Sequence, residues 1–280
     1  MDKKIRLIAL DLDGTLLDNK KKVTEETVNV LREAKEKGIY VIVSTGRPYG
    51  GLPFEILEAA GIEYAITSNG SAIYKISGRE CLHSDGIRPA YAAEIIAELQ
   101  TLGVHTDTVI DGQGYGDKRM YDNIERLDMS EVMKDYMRTS RAYIDDLLKE
   151  IHERQQPIQK ITINFYKDDA DGEQKYQQIL NQFSGEAELD IVSGGGRGLE
   201  ITKKGISKGT TLRILADLLN VDIEQTMACG DSENDRDILK TAAVGVAMEN
   251  AQACVKEIAD YITLSNEADG VAHAIRELAF

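Results

Sequence analysis

The hydrophobic pattern changes period repeatedly from the first residues onward. Residues 5–10 form a short, mostly apolar run and predict a buried strand. Thr24, followed by Glu25 and Glu26, supplies an N-cap hydroxyl and an acidic first turn for a helix. Val28, Leu31 and Ala34 then recur at helical spacing until Gly38, and residues 39–43 are a second apolar run. A strand, a helix and a strand in that order predict a parallel pair.

Residues 55–60 predict a short helix ended by Gly61, and residues 64–67 a third core strand. Ser68-Asn69-Gly70 predicts a hairpin turn into the alternating stretch 71–76, with 79–84 as its partner strand. From about residue 86 the texture changes. Pro89 opens an alanine-rich helix ending at Gly103, residues 104–110 predict a strand, and Asp111-Gly112-Gln113-Gly114 a turn. Residues 115–156 show only moderate helical patterning; a strand at 158–165, a polar helix near 172–184 and a strand at 188–192 follow. This α+β texture predicts an inserted second domain. The glycine-rich stretch 193–198 predicts a flexible turn or a hinge. After a strand at 199–202, Ser207 caps a helix carrying Leu212, Leu215, Leu218 and Leu219. Strands at 226–229, 244–247 and 261–262, with helices near 251 and at the C-terminus, return to the opening pattern.

The polar residues with chemical potential lie where these strands stop. Asp11 and Asp13 are separated by one residue and followed by Gly14, beyond the carboxyl end of the first strand. Open parallel sheets bind ligands at that end. Two carboxylates so close repel unless a cation neutralises them or the chain turns between them. The second strand ends in Ser44-Thr45-Gly46-Arg47-Pro48, whose hydroxyls, backbone donors and guanidinium suit a phosphate. Asn69 ends the third strand and either touches ligand or only shapes the turn. Lys208 is the wrong charge for a helix N-terminus, which suggests that it serves an anion there. Acids gather again in Gly230-Asp231-Ser232-Glu233-Asn234-Asp235. Together with Asp11 and Asp13 they predict an oxygen-ligand site for Mg²⁺.

Composition narrows the partners. The chain has 280 residues, 42% hydrophobic, enough for one large domain or two moderate ones. Its net charge of −15 argues against nucleic acid and anionic membrane surfaces, which need basic patches. An anionic substrate must then be captured by a few local cations and a metal. No run approaches the roughly 18 to 20 apolar residues of a membrane span, and no leader pattern is visible, so a cytoplasmic protein is expected. Cys81, Cys229 and Cys254 are expected as small buried residues, and the four histidines share no ligand spacing.

Asp11-Leu12-Asp13-Gly14-Thr15, Thr45-Gly46-Arg47, Lys208 and Gly230-Asp231-x-x-Asn234-Asp235 resemble, in that order, the haloacid-dehalogenase superfamily of phosphotransferases. Ser68-Asn69-Gly70, Val246-Ala247-Met248-x-Asn250-Ala251 and Asp269-Gly270-Val271-Ala272 resemble its Cof-type branch of sugar-phosphate phosphatases. The resemblance implies an α/β fold, with a Rossmann-like parallel-sheet core at residues 1–85 and 202–280 and an inserted α+β cap at 86–201. It implies Mg²⁺-dependent hydrolysis of small phosphate monoesters through an aspartyl phosphate, with Asp11 as nucleophile and Asp13 as acid and base. Mg²⁺ would be held by Asp11, Asp231 and the backbone carbonyl of Asp13, and phosphate by Thr45, Gly46, Arg47 and Lys208. Asn234, Asp235 and Asn69 would support the metal or the substrate. A phosphosugar mutase would use the same two aspartates. A phospho-accepting signalling module would use similar acids, but it needs neither a cap nor a general acid.

Overall fold

The computed structural model describes residues 4–193 and 198–280. In chain order the strands are β1 (Leu7–Leu10), β2 (Tyr40–Ser44), β3 (Tyr64–Thr67), β4 (Ala72–Lys75), β5 (Glu80–Ser84), β6 (His105–Ile110) and β7 (Gln113–Asp117). They continue as β8 (Arg141–Ile144), β9 (Ile158–Asn164), β10 (Leu189–Ser193), β11 (Leu199–Lys203), β12 (Thr226–Gly230), β13 (Val244–Ala247) and β14 (Tyr261–Ile262). The chain divides into two compact units, one of residues 1–46, 53–83 and 207–280, the other of 47–52 and 84–206.

In the first unit the sheet runs β14-β13-β12-β1-β2-β3-β4-β5. Every pair from β14 to β3 is parallel, and β4 returns antiparallel to β3. β1 lies in the interior of this sheet, and its four residues are all buried, which is why it reads as an unbroken apolar run. Crossover helices cover the sheet. Helix Glu25–Glu36 buries Val30, Leu31 and Ala34, and the Thr24 side chain accepts from the Thr27 N–H at its start. Parallel strands with their carboxyl ends together carry Asp11, Thr45 and Asp231 to one edge of the sheet, although these residues are far apart in sequence.

The second unit is a sheet in the order β10-β11-β9-β6-β7-β8. Helices Pro89–Thr101, Leu147–Arg154 and Gly172–Phe183 contribute Ile96, Leu99, Ile151 and Ile179 to one core with Ile161 and Ile163 of β9. Two strands here escape the sequence pattern. Only Asp111 and Gly112, both with positive φ, form the turn after β6, whereas Gln113 and Gly114 already belong to β7. β7 is Gln-Gly-Tyr-Gly-Asp, and its glycines disguise it as loop. β8 hides in the stretch read as weakly helical; it pairs parallel with β7.

Residues 47–52 depart from the expected core and belong to the second unit. Contacts there explain it: the Arg47 guanidinium lies 4.6 Å from the centre of the Tyr136 ring, and the Gly50 N–H donates to the Gly112 carbonyl at 2.8 Å. Cys229 is buried as expected, but Cys81 is exposed, because β5 is the sheet's edge strand. The hinge or turn expected at residues 194–197 lies outside the described residues. Among those described, no helix is long and apolar enough to cross a membrane.

Candidate active site

The chain after β1 folds back on itself at once. Asp11 N–H still donates to the Cys229 carbonyl of β12, at 3.0 Å, so the nucleophile candidate is held as an extension of the sheet. Gly14 then adopts φ +91°, and a Cβ on it would stand 2.6 Å from Asp231 Oδ2. Only glycine allows the turn and the close approach together. Thr15 Oγ1 donates to Asp231 Oδ1 at 3.2 Å, which ties the end of β1 to the end of β12. Asp13 points to a different partner from Asp11: Lys21 Nζ lies 2.7 Å from its Oδ1. The turn thus splits two acids that a straight strand would have placed on one face.

Lys208 starts helix Lys208–Leu218, behind a capping box made by Ser207 and Thr210. Its side chain is fully buried, and Nζ donates to Asp11 Oδ1 at 2.7 Å and to Asp235 Oδ1 at 2.6 Å. The anions that offset its position at a helix N-terminus are therefore two carboxylates of the chain itself. Asp235 is spent on holding the site together. Its second oxygen accepts the backbone N–H groups of Asp231 and Ser232, each at 3.0 Å. Gly230 has no room for a side chain, since a Cβ would lie 2.5 Å from that of Asp235.

The third strand's end joins the same network. Ser68, Asn69 and Gly70 all have positive φ, a costly backbone for Ser and Asn. Surrounding bonds fix it: the Asn69 N–H donates to the Thr45 carbonyl at 3.1 Å, and Thr211 Oγ1 to the Gly70 carbonyl at 2.7 Å. Asn234 Nδ2 donates to Asn69 Oδ1 at 3.1 Å. Asn69 therefore does more than shape a hairpin; it links the ends of β2 and β12 to that of β3. Thr45 is buried there, with Gly46 next to it at the boundary of the unit. Arg47, the remaining expected phosphate ligand, lies in the second unit.

Asp11, Asp231 and Asp235 each offer an oxygen within 4.8 Å of the others. Burial is the main reason that the Asp11 carboxyl is held well above its usual range; Lys208 opposes the shift, while Asp235 and Asp231 add to it. Asp231 is pushed up to about 6, first by burial and then by the charge of Asp235. Burial works against the Lys208 ammonium, but Asp11 and Asp235 outweigh it and keep the charge. Two buried carboxylates and the half-buried Asp231 against one lysine leave net negative charge in a low-dielectric place, a donor set suited to a hard divalent cation. Sequence reasoning passed over Thr15 and Lys21. Thr15 stood inside the leading motif; Lys21 carried no signal at all.

Comparison with known proteins gives the same constellation a lineage. Residues 8–275 match the haloacid dehalogenase-like hydrolase family. The chain belongs to that family. Phosphatase YwpJ of Bacillus subtilis is 34% identical over 98% of this chain and 100% of its own length. A second B. subtilis relative, the 5-amino-6-(5-phospho-D-ribitylamino)uracil phosphatase YcsE, is 31% identical over 98% of this chain and 96% of its own. The structure of a haloacid dehalogenase-like hydrolase from B. subtilis superposes with a TM-score of 0.83 at 32% identity, covering 98% of this chain and 100% of that one. The fold also superposes on that of a HAD subclass IIB sugar phosphatase, with a TM-score of 0.79 at 22% identity over 97% of this chain and 98% of that one.

Proposed function

We propose that this protein hydrolyses small phosphate monoesters, sugar phosphates foremost, with Mg²⁺ and through a phosphorylated Asp11. The observation that carries the reading is the Lys208 ammonium held between Asp11 and Asp235 beside Asp231, an arrangement without structural economy. Two buried carboxylates and a half-buried third set against one ammonium are expensive to fold, and placing them at the ligand-binding edge of a parallel sheet is explained by catalysis. The full-length phosphatase relatives support the same reading.

Asp11 attacks phosphorus, the ester P–O bond breaks, and the departing alkoxide takes a proton from Asp13. Water then attacks the same phosphorus, giving a proton to Asp13 and releasing phosphate and Asp11. Asp11, Asp231 and the Asp13 carbonyl would hold Mg²⁺, which when bound supplies the positive charge that lets a carboxylate approach a phosphate dianion. Asp235 has both oxygens engaged, so it serves from behind, orienting Lys208 and the loop at Asp231. Thr45, Gly46 and Lys208, with Arg47 next in the chain, bind the transferring phosphoryl oxygens. Residues 86–201 act as the cap.

Removing the metal is the direct test. Phosphate release from p-nitrophenyl phosphate should disappear with EDTA and return on adding Mg²⁺; turnover that persists without divalent metal would overturn the reading. The pH dependence of metal binding is a second check. A proton and Mg²⁺ compete for Asp231, whose carboxyl titrates at about 6. Asp11, the other carboxylate ligand, is raised as well, so Mg²⁺ affinity should fall as the pH is lowered through that range, by about tenfold per pH unit or more. Calorimetric titration across that range gives the profile, and a flat one would remove Asp231 from the ligands.

A further inference from the structure

The turn that carries Asp13 is closed in part by its own backbone. Leu16 N–H donates to the Asp11 carbonyl at 3.2 Å and Leu17 N–H to the Leu12 carbonyl at 2.8 Å. These bonds leave the Gly14 and Leu17 carbonyls to be taken up from outside the turn. Two asparagines from the other end of the chain do so. Asn250 Nδ2 donates to the Gly14 carbonyl at 2.8 Å, and Asn266 Nδ2 to the Leu17 carbonyl at 3.0 Å. The asparagines are also joined to each other, since the Asn266 backbone N–H donates to Asn250 Oδ1 at 3.0 Å. With Oδ1 accepting and Nδ2 donating, the Asn250 amide has one orientation. The Asn19 N–H extends the seam by donating to Glu267 Oε1 at 2.7 Å.

The loops that supply these side chains are themselves fixed to the strand end that carries Asp231. Asn250 follows β13, where the Met248 N–H donates to the Gly230 carbonyl at 3.1 Å and the Gln252 N–H to the Asp231 carbonyl at 2.9 Å. Asn266 lies between β14 and helix Gly270–Leu278. The two loops meet where the Glu249 N–H donates to the Leu264 carbonyl at 3.3 Å. Residues 248–252 therefore hold the end of β12 with their backbone and the turn after β1 with one side chain. They fix the backbone of Asp231 and the turn of Asp13 in a single frame. Every group in this seam belongs to the first unit.

Fold stability does not account for the arrangement. Asn250 is exposed and Asn266 half-buried, and hydrogen bonds at such positions add little to stability because water competes for both partners. Position is a different matter. A general acid works only within hydrogen-bond reach of the oxygen it protonates, and a displacement of about 1 Å costs roughly 10²-fold. Asp13 precedes Gly14, whose φ of +91° and missing side chain make it the residue least able to hold its own backbone. We propose that Asn250 and Asn266 are positioning residues, whose amides clamp the Gly14–Leu17 turn so that Asp13 meets the leaving-group oxygen. The role of Asp13 rests on the phosphatase reading; the clamp itself does not.

Hydrogen–deuterium exchange tests the clamp without any substrate. In Asn250→Ala the Leu16 and Leu17 amides should exchange about tenfold faster or more than in the wild type, while those of β1 and β12 keep their rates. The melting temperature should fall by no more than about 3 °C. Unchanged exchange at Leu16 and Leu17 overturns the clamp. Kinetics then test what the clamp is for. At saturating Mg²⁺, kcat/KM covers the steps up to phosphoryl transfer. It should fall about tenfold with phenyl phosphate and less than about threefold with p-nitrophenyl phosphate, whose leaving group needs little protonation. Asn266→Ala should act in the same direction. The double variant should lose about as much as Asn250→Ala alone, because both amides hold one turn. Equal losses for the two esters, or losses that multiply in the double variant, overturn the positioning role even where exchange has quickened. A wild type that releases no phosphate from p-nitrophenyl phosphate removes the phosphatase reading and the positioning role with it, and exchange still decides the clamp.

Discussion

Asp11→Asn should abolish turnover, by roughly 10⁴-fold or more, and yet leave the protein as stable as before or more so. The amide has almost the carboxylate's shape but cannot form the phosphoryl ester. Its effect on stability follows from the electrostatics of the buried site. The Asp11 carboxyl is held above its usual range chiefly by burial, which means that ionised Asp11 costs folding free energy at neutral pH. Lys208 does not become stranded when that charge is removed, because Asp235 remains on it at 2.6 Å. Turnover and melting temperature measured on the same preparation check both halves. Retained activity would move the nucleophile elsewhere, and a large fall in melting temperature would mean that Asp11 is primarily a structural counter-ion.

Much of this site was legible because its residues violate the patterns of the elements that carry them. Acids at the end of an apolar run, and a lysine at a helix N-terminus, are locally unfavourable choices. Local unfavourability is visible in a sequence; the compensating partners are not. Nothing near Lys208 in the chain announced that it would lie between Asp11 and Asp235, because that contact depends on β1 and β12 being adjacent. The same limit explains Lys21, whose bond to Asp13 depends on a left-handed residue in an otherwise unremarkable polar stretch. In the second unit the opposite failure occurred. β7 and β8 went unread because strand formation there rests on cross-strand packing, with Arg141 and Tyr143 occupying space above two glycines. Residues 47–52 follow Thr45 in sequence and read as a continuation of it, but Arg47 packs on Tyr136 within the second unit, to which both belong.

Lys208→Ala should lower kcat and kcat/KM together, by roughly 10²-fold or more, if its charge acts on the transferring phosphoryl group. A rise confined to KM would make it a ground-state anchor only. Unlike the change at Asp11, this one should also destabilise the fold, since it strands Asp11 and Asp235 without their shared cation. Removing one partner from a buried ion pair costs about 3–5 kcal/mol. The cost should depend on metal. Mg²⁺ bound at Asp11 and Asp231 would neutralise part of the stranded charge, so the fall in melting temperature should be larger in EDTA than at saturating Mg²⁺. Thermal unfolding of Lys208→Ala and wild type under both conditions provides the comparison. An equal fall in the two would show that the cation and the lysine do not share the same carboxylates, and with it the proposed metal set would fail even if catalysis were lost.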